Sequence, residues 1–261
     1  MNLPFFWRVN LSSDVAIDQL FLKPSDTNIQ NHLDNLQKWT TDNQCMINAT
    51  KSDFIIFSRS QDNFTTRLSI NNETLNRVNS ICLLGLWISE DMSWDLNTRE
   101  VCKKAYMRTS MLSKLKYVGV QREDLLLIYK LFIRSCLEYC SIVYHSSLTI
   151  QQSNSMERVQ RVCLRLILAN EYIDYEQALR SCNLSKVSQR RENRALSFAH
   201  KALKHPKHKS MFPISEEYLS NPHNIRQKEK FKVNFARTSR YKRSFIPYMQ
   251  SKLNEEVRNK E

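Results

Sequence analysis

The stretch Ile81-Cys-Leu-Leu-Gly-Leu-Trp-Ile88 and the longer pattern from Asp95 to Tyr117 show where this chain changes from strand to helix. The first run is almost continuously apolar and predicts a buried strand, in which Gly85 indicates a bulge or a close backbone approach. The second run repeats apolar residues at helical spacing and stops just before Gly119, a residue type that commonly follows a helix. The change of period predicts a boundary near Met92.

Patterns on either side of this boundary differ in kind. Before it, a helix opens at Asp26-Thr27, strands are predicted over residues 53–57, 66–70 and 74–78, and Asn71-Asn72 forms a turn. The predicted buried face of the first helix carries Ile29, Leu33, Leu36 and Trp39. After the boundary, helices are predicted over residues 95–117, 121–144, 149–169, 175–182, 185–204 and 247–257. The helix 121–144 is apolar around most of its circumference and is expected to be central and buried.

These patterns predict an α+β fold, in which a short antiparallel hairpin region precedes an all-α helical bundle. We divide the chain into residues 1–92, an α/β segment; residues 93–205, a helical domain; and residues 206–261, a basic and aromatic tail. The division follows the changes of periodicity along the sequence.

Glycine is scarce. Only Gly85 and Gly119 occur among the 261 residues, where average usage would give about 18. Dinucleotide-binding GxGxxG loops, GxxxxGK[ST] phosphate loops and glycine-rich methyltransferase loops all need more glycines than this. The composition therefore excludes nucleotide-cradling enzymes of those classes, and we predict no cofactor.

The sequence shows no signal for secretion or for crossing a membrane. Residues Met1 to Arg8 lack the basic n-region and the apolar length of a signal peptide, and the longest apolar runs are far shorter than the roughly 20 residues that span a bilayer. The seven cysteines mostly lie in apolar periodic segments, which is typical of reduced core residues. We expect an intracellular protein, nuclear or cytoplasmic, with no membrane partner.

Positive charge is concentrated after residue 100. Residues 1–100 carry eight Lys and Arg against twelve Asp and Glu, whereas residues 101–261 carry 31 against 14. A part this basic indicates a polyanionic partner, and the alternative is a merely solvated surface.

Basic residues recur on one side of two predicted helices and again in the tail. Basic side chains on a helix face are suited to contacts with phosphates. On the two helices they are Arg158, Arg161 and Arg165, then Arg190, Arg191, Arg194 and Lys201. Aromatic residues between basic ones are suited to stacking on single-stranded bases, and the tail contains Lys232, Arg237, Arg240, Lys242 and Arg243 among Phe231, Phe235, Tyr241 and Phe245.

No arrangement of residues predicts a metal site or a catalytic site. Cys136 and Cys140 share a helix face with apolar residues, so core packing is a better interpretation than zinc binding. His32 and Asp34 have the spacing of half an iron facial triad, but two residues apart on a helix they point about 200° away from each other. Paired acids occur at expected turns or helix ends, where solvated caps are the better interpretation.

Short motifs follow one another in a fixed order over roughly residues 10–250. They are Asn48-x-x-Lys51-Ser52 with Phe54-Ile-Ile-Phe57 behind it, Leu83-Leu84-Gly85, Lys103-Lys104-Ala105-Tyr106-x-Arg108, Tyr129-x-x-x-x-Arg134-x-x-Leu137-Glu138-Tyr139, and Arg190-Arg191-Glu192. In this order they resemble the end of the palm and the thumb of the reverse transcriptases of non-LTR retrotransposons, which are RNA-directed DNA polymerases.

The resemblance implies a palm-like segment with a primer-grip-like hairpin over residues 1–92 and a thumb-like helical domain over residues 93–205. It adds three residues to those expected to bind nucleic acid: Lys51, in the loop after the family's catalytic strand, and Lys103 and Lys104, on the first thumb helix. The implied partner is RNA or an RNA–DNA duplex.

The chain departs from the family where catalysis takes place. The family's Y/F-x-D-D motif belongs upstream of the helix that opens at Thr27, and there this chain offers only Ser13-Asp14 and Ile17-Asp18. Without the acid pair, the resemblance implies a retrotransposon-derived remnant that is not an enzyme and holds no metal.

Three other hypotheses remain. The chain is a fragment of a longer, active RNA-directed DNA polymerase if a catalytic motif precedes Met1, or it is a helical protein–protein adaptor. Residues 98–140 also resemble the N-terminal region of an AlkB-type tRNA-modifying dioxygenase–methyltransferase. The rejected pair of His32 and Asp34 and the missing glycine loop argue against that chemistry.

Overall fold

The structure, a computed structural model, describes residues 5–11, 16–21, 29–45, 47–57, 67–220 and 229–259. It has the α+β composition expected from the sequence, with helices and small, mostly antiparallel sheets. The chain divides into two compact units, Met1–Asn97 and Thr98–Glu261. The first contains the strands, and the second is helical.

The described residues of the first unit form short strands and a helix, α1 (Ile29–Asp42), before the start of the next helix at Asp95. The strands are β1 (Phe5–Leu11), β2 (Ala16–Phe21), β3 (Ile47–Ile56), β4 (Ser69–Ile70), β5 (Glu73–Thr74), β6 (Asn76–Arg77), β7 (Ser80–Leu83) and β8 (Leu86–Ser89). Four of them form a sheet in the order β2-β1-β3-β6, in which β1 is antiparallel to β2 and β3, and β6 runs parallel to β3. Strands β1 and β2 have no counterpart among the strands predicted from the sequence.

Helix α1 packs against β3. Ile29 and Leu33 bury their side chains with Phe54 and Ile56, which alternate along β3 with residues that face its other side. Trp39 was predicted on the buried face, but it is 52% exposed. The prediction of Trp39 as a core residue was wrong because the buried face of α1 ends with Thr40, which is 2% exposed.

Residues 81–88 form a hairpin rather than a single bulged strand. Strands β7 and β8 pair antiparallel from Ser80 opposite Ser89 to Leu83 opposite Leu86. Leu84 and Gly85 both have positive φ, 47° and 83°, as the central residues of a tight type I′ turn require. The glycine therefore marks a turn, and the apolar continuity of the run concealed it. A primer-grip role for this hairpin stays a prediction.

Helices make up the second unit, and several match their predicted bounds. They are α2 (Asp95–Tyr117), α3 (Arg122–Ile128), α4 (Arg134–Glu138), α5 (Ser141–Tyr144), α6 (Ile150–Leu168), α7 (Tyr175–Ser181), α8 (Val187–Lys204), α9 (Glu216–Ser220), α10 (Ser239–Lys242) and α11 (Phe245–Arg258). The predicted helices 95–117, 149–169, 175–182 and 185–204 are confirmed as α2, α6, α7 and α8. Helix α6 begins with a capping box formed by Thr149 and Gln152, which satisfies backbone N–H groups of its first turn.

The predicted continuous helix 121–144 is interrupted. A π-helical segment, Tyr129–Ile133, follows α3 directly, and the helix stops after Glu138, where Tyr139 is extended and Cys140 has φ of 50°. The Tyr144 hydroxyl lies within hydrogen-bonding distance of the carbonyl oxygens of Leu137 and Tyr139, at 3.3 and 3.2 Å. It thereby compensates carbonyl groups that lose their helical partners at the break. The prediction of one helix failed because no glycine or proline marks this position.

The described part of residues 206–261 packs back onto α8. Ala195, Ala199 and Ala202 form a core cluster with Phe212, Phe231, Met249 and Leu253. Their small side chains leave room on one side of α8 for these larger residues. Residues that the sequence set apart as a tail therefore contribute to the core of the helical unit.

Candidate nucleic-acid interface

Helix α6 presents three arginines on its solvent face, the feature that we call the arginine face. Arg158, Arg161 and Arg165 are exposed, while Met156, Val159 and Cys163 on the opposite side are 0% exposed. Spacings of three and four residues place the arginines along one line of the helix. None of the three forms an ion pair within the described part of the chain.

Two arginines of this face stack on tyrosines. The Cζ atom of Arg161 lies 4.8 Å from the ring centroid of Tyr175, and that of Arg165 lies 5.2 Å from the ring centroid of Tyr172. A cation–π contact of this kind holds the guanidinium group in place. A guanidinium group has five N–H donors, so donors remain that can bind an acceptor such as a phosphate oxygen.

Tyr175 is itself fixed by a buried hydrogen-bond network. Its hydroxyl donates to a carboxylate oxygen of Glu157 and accepts from Nε2 of Gln160 at 2.7 Å. Glu157, 5% exposed, also accepts from the backbone N–H groups of Val187 and Ser188 at 3.1 and 3.2 Å, and so caps the start of α8. Burial raises the pKa of Tyr175, and the hydrogen bond to Glu157 raises it further. The tyrosine therefore stays protonated and rigid beneath Arg161.

A second basic surface lies on the segment that leads into α10 and α11. The positive side chains Lys232, Arg237, Arg240, Lys242 and Arg243 are all exposed. Of the aromatic residues between them, Phe235 is 85% exposed and Tyr241 is 43% exposed. Phe231 and Phe245 were predicted to stack on bases, but they pack in the core cluster on α8. The stacking candidates are therefore reduced to Phe235 and Tyr241.

Arg190 and Arg194 both pair with an acidic side chain of the protein, although Arg194 stays 53% exposed. The Arg190 guanidinium pairs with the carboxylate of Glu138, and Arg194 Nη1 lies 3.4 Å from the same group. Glu138 is 4% exposed, and its hydrogen bond raises the pKa of Arg190. These two arginines therefore have an internal partner that the helical pattern did not reveal.

Arg191 is not available to a nucleic acid. Its side chain is 0% exposed, and its Nη2 donates to Ser153 Oγ at 3.0 Å and its Nη1 approaches Met156 Sδ at 3.3 Å. Burial lowers its pKa. The prediction of Arg191 as a phosphate contact was wrong. Val187 and Ala195, four residues away on either side, are also buried and place Arg191 on the core side of α8.

The lysines suggested by the resemblance lie at the surface. Lys51 is exposed on β3, in the first unit. Lys103 and Lys104 are exposed on α2, in the second unit. Their exposure permits a contact with a phosphate but does not distinguish them from other surface lysines.

The residues considered for metal or catalytic roles do not come together as a metal site within the described part of the chain. Cys136 is buried, and its Sγ lies 3.3 Å from the carbonyl oxygen of Phe132. Within the described residues, no three His, Cys, Asp or Glu side chains come together in a way that could hold a metal ion. Asp18 lies in β2, whereas Ser13 and Asp14 lie outside the described residues.

Comparisons with known proteins identify no relative. No family model, no curated protein and no solved structure matches this chain. Among the helices that the structure describes, none is both long enough and apolar enough to span a membrane.

Proposed function

We propose that this chain is a non-catalytic nucleic-acid-binding protein, derived from the palm and thumb of a non-LTR retrotransposon reverse transcriptase. The arginine face of α6 carries the proposal. Arg158, Arg161 and Arg165 point to solvent in a row without an internal counter-ion among the described residues, and stacking on Tyr175 and Tyr172 orients two of them. A row of oriented guanidinium groups suits the phosphates of a nucleic-acid backbone better than it suits a neutral protein surface.

The charge of the helical unit supports the same class of partner. Residues 98–261 carry 32 Lys and Arg against 15 Asp and Glu. This net charge of +17 attracts polyanions from a distance and favours binding without base recognition. Phe235 and Tyr241, exposed among basic side chains, add surfaces on which unpaired bases stack. We therefore propose single-stranded RNA or an RNA–DNA duplex as the ligand.

The proposal includes no polymerase chemistry. Phosphoryl transfer by two metal ions needs carboxylates that converge on ions about 4 Å apart. The four residues between β1 and β2 contain one acid, Asp14, and no adjacent pair of Asp residues occurs upstream of α1. The order of motifs supports descent from a polymerase, and residues 1–28 offer no acid pair to hold two metal ions, so the proposal assigns residues 1–261 no polymerase activity.

Binding to single-stranded RNA tests the proposed function. We expect the purified chain to bind fluorescently labelled oligonucleotides of different sequences with similar affinity, measured by fluorescence anisotropy. Affinity should fall with salt, with a slope of log K against log [salt] of about −2 or steeper, because three phosphate contacts contribute about 0.7 each. Absence of binding at low salt and micromolar protein contradicts the proposal.

Primer extension tests the statement that the chain is not an enzyme. With template–primer, nucleotides and Mg²⁺ or Mn²⁺, we expect no extension product because the acid pair for the metal ions is missing. A working reverse transcriptase in the same mixture serves as the positive control. Metal-dependent extension that disappears in Asp14→Asn or Asp18→Asn would overturn this expectation.

A further inference from the structure

Three arginines converge on the carboxylate of Glu138. Arg190 binds it most closely, Arg134 Nε lies 3.6 Å from its Oε1, and Arg194 Nη1 lies 3.4 Å from its Oε2. Arg194 Nη1 also donates to the Glu138 carbonyl oxygen at 3.3 Å. Glu138 is the only carboxylate that pairs with any of these three arginines in the described part of the chain.

The cluster therefore carries an excess of positive charge in a partly dehydrated place. Three guanidinium groups against one carboxylate leave two uncompensated charges. The side chains of Arg134 and Arg190 are only 15% and 31% exposed, whereas Arg194 is 53% exposed and open to a ligand from solvent. Like charges held together away from water repel each other more strongly than at an open surface. Burial and then the charge of Arg190 lower the pKa of Arg134. A bound anion would relieve this repulsion.

A cleft of about 290 Å³ lies beside the cluster, between α5 and α8. Glu138, Ser141, Arg194, Ser197 and Lys201 are in its lining. Arg194 and Lys201 are seven residues apart, two turns of α8, which separates their Cα atoms by about 10 Å along the axis. Ser197 lies between them on the same side of the helix, so both long side chains can reach a group bound near this serine.

The wall of the cleft also contains a polar group whose hydrogen bonding is incomplete. Ser141 is 1% exposed, and its Oγ has no hydrogen-bond partner in the part of the chain that the structure describes. A buried hydroxyl without a partner is costly. A small rearrangement that turns this hydroxyl toward an anion in the cleft would supply the missing partner.

We propose that the cleft between α5 and α8 binds a phosphate group, held by Arg194 and Lys201. The arginine offers a fork of N–H donors that matches two phosphate oxygens, and the lysine adds a mobile point charge. This site deepens the proposed function by adding a phosphate subsite on α8, away from the arginine face of α6. The phosphate is either a backbone phosphate of a nucleic acid or a free phosphate.

Titration of the full chain with inorganic phosphate tests the subsite. We expect saturable binding by isothermal titration calorimetry when phosphate replaces chloride at constant ionic strength. Arg194→Gln and Lys201→Gln should each weaken the binding about tenfold or more, the usual range for a lost charged hydrogen bond. Arg180→Gln, an exposed arginine on α7 that is not in the cleft lining, loses the same charge and should leave the affinity within about twofold.

We expect both cleft variants to fold. In Arg194→Gln the Glu138 carboxylate keeps Arg190 and Arg134, and Lys201 is exposed. Circular dichroism should therefore show wild-type helix content for both variants. No saturable phosphate binding by the wild-type chain, or equal binding by the wild-type chain and both cleft variants, would overturn the subsite.

Competition with RNA separates the two sources of the phosphate. If the cleft holds a backbone phosphate, inorganic phosphate at constant ionic strength displaces single-stranded RNA, and Arg194→Gln lowers the salt slope by about 0.7. If the cleft binds free phosphate instead, neither added phosphate nor Arg194→Gln changes the affinity for RNA. Phosphate binding that depends on Arg194, without any RNA binding, would reject the proposed function and keep the subsite. RNA binding without saturable phosphate binding would keep the proposed function and reject the subsite.

Discussion

Replacing Glu138 by glutamine should lower the free energy of unfolding by about 2 to 3 kcal/mol, because a carboxylate that is 4% exposed loses its charged hydrogen bonds while its arginine partners keep part of their contact with water. Glutamine has the same shape but no charge, so Arg134, Arg190 and Arg194 lose the carboxylate on which they converge. Three cations at this point, one of them only 15% exposed, then repel each other without compensation. The substitution therefore weakens the contacts between α4 and α8.

Urea denaturation followed by circular dichroism measures this change. An unchanged m value, the slope of the unfolding free energy against urea concentration, indicates that the transition is still two-state. Glu176→Gln is the matched control. Its carboxylate lies 2.7 Å from Lys186 Nζ, but the two side chains are 56% and 47% exposed, and a surface pair of this kind contributes less than about 1 kcal/mol. Similar losses for Glu138→Gln and Glu176→Gln would show that the cluster has no structural importance.

Local signals were sufficient to predict most of the helical unit. Helices α6 and α7 begin with side-chain caps, α2 ends shortly before Gly119, and α8 has apolar residues at helical spacing, so local and tertiary preferences agree over most of these helices. The break at Tyr139 and Cys140 was not predicted because no glycine or proline marks it, and because the partner of the freed carbonyl groups is the hydroxyl of Tyr144, a residue that by its type gives no signal of a helix end.

The candidate site was predictable in part. The pattern of α6 was sufficient to place Arg158, Arg161 and Arg165 on its outer face. The helical spacing of α8 also indicates that Arg191 is buried. Arg191 lies four residues from Val187 and four from Ala195, and both of these are buried. Because buried arginines are rare, Arg191 was predicted from its charge to lie at the surface, although its position on the helix indicates the core.

Residues that orient or neutralise the arginines were missed. Tyr172 and Tyr175 lie beneath Arg165 and Arg161. Glu138 pairs with Arg134 of α4 and Arg190 of α8. The tyrosines follow α6 closely, so a search for aromatic residues near a basic helix face would have found them. The partnership of Glu138 with Arg190 joins residues 52 positions apart, and no local pattern reports a contact over that distance.

The arginine face should account for about two units of the salt slope in RNA binding. Changing Arg158, Arg161 and Arg165 together to glutamine removes up to three phosphate contacts, each contributing about 0.7 on a single strand. The helix should persist because glutamine is a good helix former and these positions are exposed. Loss of the two tyrosine contacts should cost only about 0.5 to 1 kcal/mol each at such exposed sites.

The salt slope of this triple variant, measured by fluorescence anisotropy with single-stranded RNA, tests the proposed interface most directly. A control with the same change of charge replaces Arg77, Lys186 and Arg258 by glutamine, each of which pairs with an exposed carboxylate elsewhere on the chain. We predict that the slope of the α6 variant is smaller by about two units while the control stays close to wild type. Equal slopes for the wild-type chain and a folded α6 variant would contradict the account and reduce the arginine face to a solvated surface.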